Sequence, residues 1–189
     1  MFCGITGIPV WGTAQAIIAS PGTASDIIAA ARTASTAENA TLNAGAAAGA
    51  ASGGVAGVTG NAYNPFAGKA ISDGFGARGG EHKGIDYPMP VGTPLPAAIA
   101  GTVSTTTSGG SGGYIATITA SNGYSVEYMH CSRFVPNING AKVVPGQIIA
   151  YSGGAAGAAG AGDSTGPHVH FQVNQPNGTP INPQTYFGS

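Results

Sequence analysis

The stretch Tyr114-Ile115-Ala116-Thr117-Ile118-Thr119-Ala120-Ser121-Asn122-Gly123-Tyr124-Ser125-Val126-Glu127-Tyr128-Met129-His130 decides the fold. Two runs rich in β-branched and aromatic residues, Tyr114 to Ala120 and Tyr124 to His130, flank Ser121-Asn122-Gly123. Asn-Gly accepts the positive φ of a tight turn, so the stretch reads as a β-hairpin. Working outward, Ile99 to Thr105, Gln147 to Ser152 and His168 to Val173 have the same character. Gly, Asn and Pro clusters separate them, and Val144-Pro145-Gly146-Gln147 and Pro176-Asn177-Gly178-Thr179 read as further turns. Short strands at this spacing predict a mainly β domain over residues 62–189, a sandwich or barrel, with no helix after residue 62.

The composition changes near residue 62. Residues 1–61 are mostly small, with three charges, Asp26, Arg32 and Glu38. Trp11 to Ser20 reads as a short apolar helix that Pro21-Gly22 breaks. Thr23 or Ser25 can cap a second helix running towards Leu42. Asn39 to Gly68 carries no charge at all. Such a segment buries little apolar area by itself. The expectation is a partly helical extension whose residues 1–60 dock onto protein partners in a larger assembly. Insertion into a membrane is the less favoured alternative, because Leu, Ile and Phe are sparse. The first basic residue is Arg32, so no secretory signal is read.

Charged residues make up 7% of the 189-residue chain and the net charge is −1. That balance excludes long-range attraction to nucleic acid. The two cysteines, Cys3 and Cys131, do not make a disulfide framework, and Cys131 reads as a small buried hydrophobe.

Chemistry is concentrated in four histidines. His82 and Asp86 lie four apart, but Gly84 and Pro88 argue against a helix there. The reading is that His82 ends a loop containing Gly74, Gly76, Gly79 and Gly80, and that Asp86 opens a strand. Period-two alternation puts His168 and His170 on one strand face with Val169 towards the core. His130 closes the second strand of the hairpin. Two imidazoles and one carboxylate can fill three positions of a tetrahedral zinc site and leave the fourth for water. The other two histidines are then free to handle protons, which describes a hydrolase. The same donor set also forms the facial triad of non-haem iron oxygenases. The surplus histidines and the Ser164-Thr165-Gly166-Pro167 turn count against that alternative.

Several motifs in order carry a family resemblance. They are Asp73 to Arg78, His82-Lys83-Gly84-Ile85-Asp86-Tyr87-Pro88, Gly92-Thr93-Pro94, Gly101-Thr102-Val103, Tyr128-Met129-His130, Ser164 to Phe171 and Ile181-Asn182-Pro183. Together they resemble the lysostaphin-type zinc endopeptidases, peptidoglycan hydrolases that cut peptide stems or cross-bridges of bacterial walls. The resemblance spans residues 63–187. It implies an antiparallel β-sheet groove with Zn2+ at its floor, held by His82, Asp86 and His170. It also implies that His130 and His168 stand beside the bound water and the scissile carbonyl.

The expected function is zinc-dependent hydrolysis of peptidoglycan by a chain anchored in an assembly such as a phage tail. Its place would be the virion, acting in the host periplasm or wall. The alternative is a structural or wall-binding assembly component that keeps a peptidase-like domain. Three departures from the family pattern stand out. Cys131 replaces a frequent Leu, Phe75 stands where some members offer a tyrosine hydroxyl, and Ser152 to Asp163 is a long Gly/Ala-rich stretch. That stretch reads as a mobile rim, a surface for a neighbour or a tolerated insertion.

Overall fold

The computed structural model describes residues 62–188, so the expectations for residues 1–61 lie outside the described residues. Strands among the described residues form two sheets, and every pairing is antiparallel. The larger sheet has seven strands. Its order is β1 (Ile85–Pro88), β9 (His168–Asn174), β5 (Ser125–Met129), β4 (Ile115–Thr119), β3 (Gly101–Thr106) and β7 (Lys142–Val143). The short β10 (Pro180–Ile181) pairs with the end of β9 on the flank that β1 occupies. The smaller sheet is β2 (Pro94–Pro96), β8 (Ile148–Ser152) and β6 (Cys131–Phe134).

The expected hairpin is β4–β5. Its turn closes with Gly123 N–H donating to Ala120 O at 3.0 Å, and Gly123 has φ 86°. The other expected strands form within a residue or two of their predicted ends. Proline-flanked β2 and the short β6, β7 and β10 have too few residues to stand out in the sequence.

Alternation sorts the larger sheet into two faces. Ile85, Tyr87, Val103, Ile118, Val126, Tyr128, Val169, Phe171 and Val173 lie on one face and are almost fully buried. Leu95, Ile149 and Ala150 of the smaller sheet join them in one core. Each fully buried large apolar side chain contributes about 1.5–3 kcal/mol. Phe66 seals this core, with its ring 4.9 Å from Tyr87 and 5.1 Å from Phe171. The buried Tyr128 hydroxyl is satisfied, donating to Pro96 O at 2.9 Å and accepting from Ala98 N–H at 2.8 Å. Asp86, Glu127, Met129, His168, His170, Gln172 and Asn174 occupy the opposite face, set by the β1–β9–β5 register.

The expectation of no helix after residue 62 is corrected by two short α-helical pieces, besides one 3-10 turn at Gly110–Gly112. The first, α1 (Ala77–Gly80), is a single turn in which Arg78 and Gly79 have positive φ. The second, α2 (Pro183–Phe187), starts at Asn182, whose Oδ1 accepts from Gln184 N–H at 3.0 Å. Asn182-Pro183 is a helix-start signal that turn-like composition hid. Tyr186 and Phe187 of α2 are buried, and Phe187 stacks 5.8 Å from Phe171. No helix of the described residues is long and apolar enough to cross a membrane.

Candidate metal centre

The first ligand candidate arrives on a coiled loop. Gly76 N–H donates to His82 O at 2.9 Å, and His82 N–H donates to Ala77 O at 3.1 Å. These bonds wind Gly74 to His82 so that the His82 ring enters the sheet face. Asp86 sits in β1, directly opposite His170 of β9. Gly84 between them cannot be larger. A Cβ there would lie 2.5 Å from His170 Nε2 and 2.6 Å from Phe171 O. The three candidate ligands are all buried. Among the described residues, they form the cluster of His, Cys, Asp and Glu able to hold a metal ion.

The donor set fits a cation. His82 Nδ1–H donates to Gly74 O at 2.7 Å, which turns Nε2 inward as a lone pair. His170 Nε2–H donates to Gln172 Oε1 at 3.2 Å, which turns Nδ1 inward. Those two nitrogens stand 3.0 Å apart, and both face Asp86 Oδ1, at 3.1 Å from His82 and 2.9 Å from His170. Three acceptors at that spacing repel one another unless positive charge lies between them. Zinc bonds of about 2.0–2.1 Å imply tetrahedral donor edges of about 3.3 Å, close to the spacing found. The second carboxylate oxygen of Asp86 is taken by Arg78, whose Nη2 donates at 3.1 Å while its Nε pairs with Asp73 at 2.6 Å. Burial would raise the Asp86 carboxyl. In the metal-free site, once the imidazoles are protonated, a hydrogen bond from His170 and the charges of His170, His82 and His168 outweigh burial and hold it at about 2.

His168 and His130 flank this cluster. His168 Nδ1–H donates to Gly166 O at 2.8 Å, and its Nε2 lies 3.7 Å from Asp86 Oδ1. Ser164 Oγ steadies the same turn, donating to Gly154 O at 2.7 Å. His130 Nδ1–H donates to Ala161 O at 2.8 Å, and the ring lies 4.7 Å from that of His168. Burial first, then the His168 charge, lowers the His130 pKa to about 4, so its imidazole is neutral at pH 7. His130 does not close β5 as expected. It follows Met129 at the junction between the two sheets, with φ 61°. Simple alternation would send it into the core, and the left-handed backbone turns it onto the site face. Cys131 then falls into the core as read, with its thiol pushed up by burial to about 12.

The Gly/Ala-rich stretch from Ser152 to Asp163 packs on this domain's own loop at residues 109–113. Tyr114 N–H donates to Gly160 O at 3.0 Å, Asp163 N–H to Ser111 O at 2.9 Å, and His130 N–H to Gly112 O at 2.9 Å. A Cβ on Gly160 would strike Cys131 O, and one on Gly162 would strike Ser111 O. Backbone therefore meets backbone, and small residues are a requirement of the contact. The stretch carries the carbonyl that orients His130. A cleft of about 560 Å³ runs over all five residues, with Arg78, Glu81 and Lys83 on one rim and Ser111, Asp163 and Thr165 on the other.

All five sequence-selected residues thus converge. Sequence reasoning assigned no role to Arg78, Gln172 or Ser164. Gln172 was within reach, because it continues the alternation of His168 and His170. Phe75 packs against the core and offers no hydroxyl, as read.

Comparison with known proteins follows the same motifs. The DD-carboxypeptidase/endopeptidase Mpg of Neisseria meningitidis is 37% identical over 107 residues, which cover 54% of this chain and 22% of that protein. The glycyl-glycine endopeptidase ALE-1 of Staphylococcus capitis is 38% identical over 99 residues, covering 51% of this chain and 25% of that protein. The chain therefore spans about a quarter or less of the length of these curated relatives. A crystal structure of the catalytic domain of the prophage-encoded M23 protein EnpA from Enterococcus faecalis, solved as a point mutant, superposes with a TM-score of 0.55 at 34% identity. The match covers 67% of this chain and 98% of that domain. The model of peptidase family M23 matches residues 80–183, more than half of the sequence, and the chain belongs to that family.

Proposed function

We propose that this chain is a zinc endopeptidase that hydrolyses peptide bonds in the stems or cross-bridges of bacterial peptidoglycan. One observation carries the reading. Three inward-facing donors on His82, Asp86 and His170 converge at 2.9–3.1 Å beside two further imidazoles whose Nδ1 atoms are tied to backbone carbonyls. Membership of the peptidase family and relatives named as a glycyl-glycine endopeptidase and a peptidoglycan DD-endopeptidase support the substrate class. What zinc supplies when bound is Lewis-acid polarisation of the scissile carbonyl and acidification of water.

The chain's own groups do the rest. Arg78 holds one oxygen of Asp86 and leaves the other for the ion. The Nε2 atoms of His130 and His168 face the cleft. Burial keeps His130 neutral at pH 7, which leaves its Nε2 lone pair free to accept a hydrogen bond or a proton. A protonated ring can donate to the leaving amine or to the developing oxyanion. An iron site of the oxygenase type uses similar donors, but the family and the two extra histidines favour hydrolysis.

The relatives divide between glycyl-glycine and DD-endopeptidases by name. Digestion of purified peptidoglycans with different cross-bridges, followed by mass analysis of the fragments, tests the reading. Zinc-dependent release of peptide fragments from at least one wall type is expected. Zinc binding with no cleavage of any wall favours the wall-binding alternative.

We further propose that residues 1–61 anchor the domain in a virion-associated assembly such as a phage tail. The small-residue, charge-poor composition of that segment supports this. So does the prophage origin of the Enterococcus neighbour. Immunodetection of the chain in purified phage particles is expected, and its absence from them while present in the free lysate contradicts the anchor.

A further inference from the structure

The strand face that presents His168 and His170 continues to Gln172 and Asn174, and these amides lead away from the metal centre as an ordered chain. His170 Nε2 meets Gln172 Oε1 at 3.2 Å, Gln172 Nε2 donates to Asn174 Oδ1 at 2.7 Å, and Asn174 Nδ2 donates to Glu127 Oε1 at 2.9 Å. Glu127 lies across the ladder on β5, opposite Gln172. An amide can be turned either way, and an imidazole can carry its proton on either nitrogen. An ionised carboxylate can only accept. Placed at the end of the chain, it forces Asn174 to offer N–H, so Asn174 must offer its oxygen to Gln172. Gln172 must in turn offer its oxygen to His170. The proton of His170 is thereby drawn to Nε2, and Nδ1 is left as the lone pair facing His82 and Asp86.

The other neighbour of Asn174 imposes no direction. Ser125 Oγ lies 3.5 Å from Asn174 Nδ2, and a hydroxyl donates or accepts equally well. The competing position for the His170 proton is real, because Nδ1 lies 2.9 Å from Asp86 Oδ1. Reversing the relay would set the Asn174 oxygen against the carboxylate at 2.9 Å.

We propose that Glu127, three hydrogen bonds from the metal centre, is a positioning residue that sets the tautomer of His170 and so the affinity of the site for its ion. The proposal rests on the reading of His170 as a metal ligand. Residues that orient a metal-bound imidazole through its second nitrogen are generally worth 10–100-fold in metal affinity.

The test uses the full chain as wild type, Glu127→Gln and Gln172→Met. Glu127→Gln keeps shape but lets the amides turn. Gln172→Met removes the acceptor next to His170 and serves if the first variant folds poorly. Zinc dissociation constants come from competition with a chromophoric chelator. The imidazole N–H of His170 in the zinc-loaded protein is read by NMR as an exchange-protected downfield proton. Expected are a zinc dissociation constant raised about 10-fold or more and loss of exchange protection at Nε2 in both variants. Zinc affinity within twofold of wild type, with the Nε2 proton still protected, overturns the relay. Failure of the wild type itself to bind zinc overturns the metal-site reading instead.

Discussion

His130 joins backbone strain to chemistry. A non-glycine residue at φ 61° sits in a sparsely used region, and such positions persist where their surroundings hold them. Here the Gly112 and Ala161 carbonyls hold the main chain and the ring. His130→Ala is expected to keep its zinc, measured by metal analysis after dialysis, and to lose about 10²–10⁴-fold in wall-peptide hydrolysis. Asp86→Ala is expected to lose the metal itself.

The same burial predicts a pH effect in the metal-stripped protein. The folded pKa of His130 is about 4, against an ordinary 6.5. Between those values the unfolded chain binds the extra proton, so the contribution is complete above the ordinary value and disappears as pH falls towards the folded one. Asp86 acts in the same direction lower down, between its ordinary 3.8 and about 2. By pH 5 about 2 kcal/mol of the His130 contribution has been lost by linkage. Urea midpoints at pH 7 and pH 5 should therefore differ by less in His130→Gln than in the parent. An equal drop in both removes His130 as the cause.

At the level of elements, the site depends on close main-chain contacts as much as on ligands. Gly84→Ala would press a methyl group against His170 Nε2, with Phe171 O behind it. The expected cost is about 1–3 kcal/mol in stability, read by denaturant titration, together with weaker zinc binding. Gly160→Ala adds a side chain at φ 81° against the Cys131 carbonyl. The loop must then back away and take the Ala161 carbonyl with it. Zinc content should be unchanged while turnover falls, by about 100-fold if the ring moves by an ångström.

These two loops also mark the limit of what the sequence disclosed. The long β-rich runs, the Asn122-Gly123 turn and the alternation of His168 and His170 were legible, because period and turn chemistry are local signals. The role of Ser152 to Asp163 was not, because a glycine contact between two backbones leaves no pattern in either segment alone. Arg78 was equally hidden, since its partners Asp73 and Asp86 are joined only through a bridge that the fold creates. Alternation misplaces His130 for the same reason: its left-handed turn is imposed by loops distant in the chain.

For the molecule as a whole, the core of the two sheets runs, among the described residues, from Ala62 to Phe187. A fragment comprising residues 62–189 is therefore expected to unfold in one cooperative transition and to bind zinc as the full chain does. A broad, non-cooperative melt of that fragment would show that the core needs residues 1–61. If the anchoring role of that segment holds, the fragment should cleave isolated wall peptides at the parent rate while no longer joining particles.

The two-faced character of β9 carries a practical corollary. Even-numbered positions from His168 to Asn174 lie on the face that carries the metal centre, and the odd-numbered Val169, Phe171 and Val173 face the apolar interior. Randomising one parity and freezing the other would let a selection experiment retune reactivity and robustness separately along a single seven-residue ribbon. Inserting or deleting one residue there would exchange the two sets and abolish both properties in a single step.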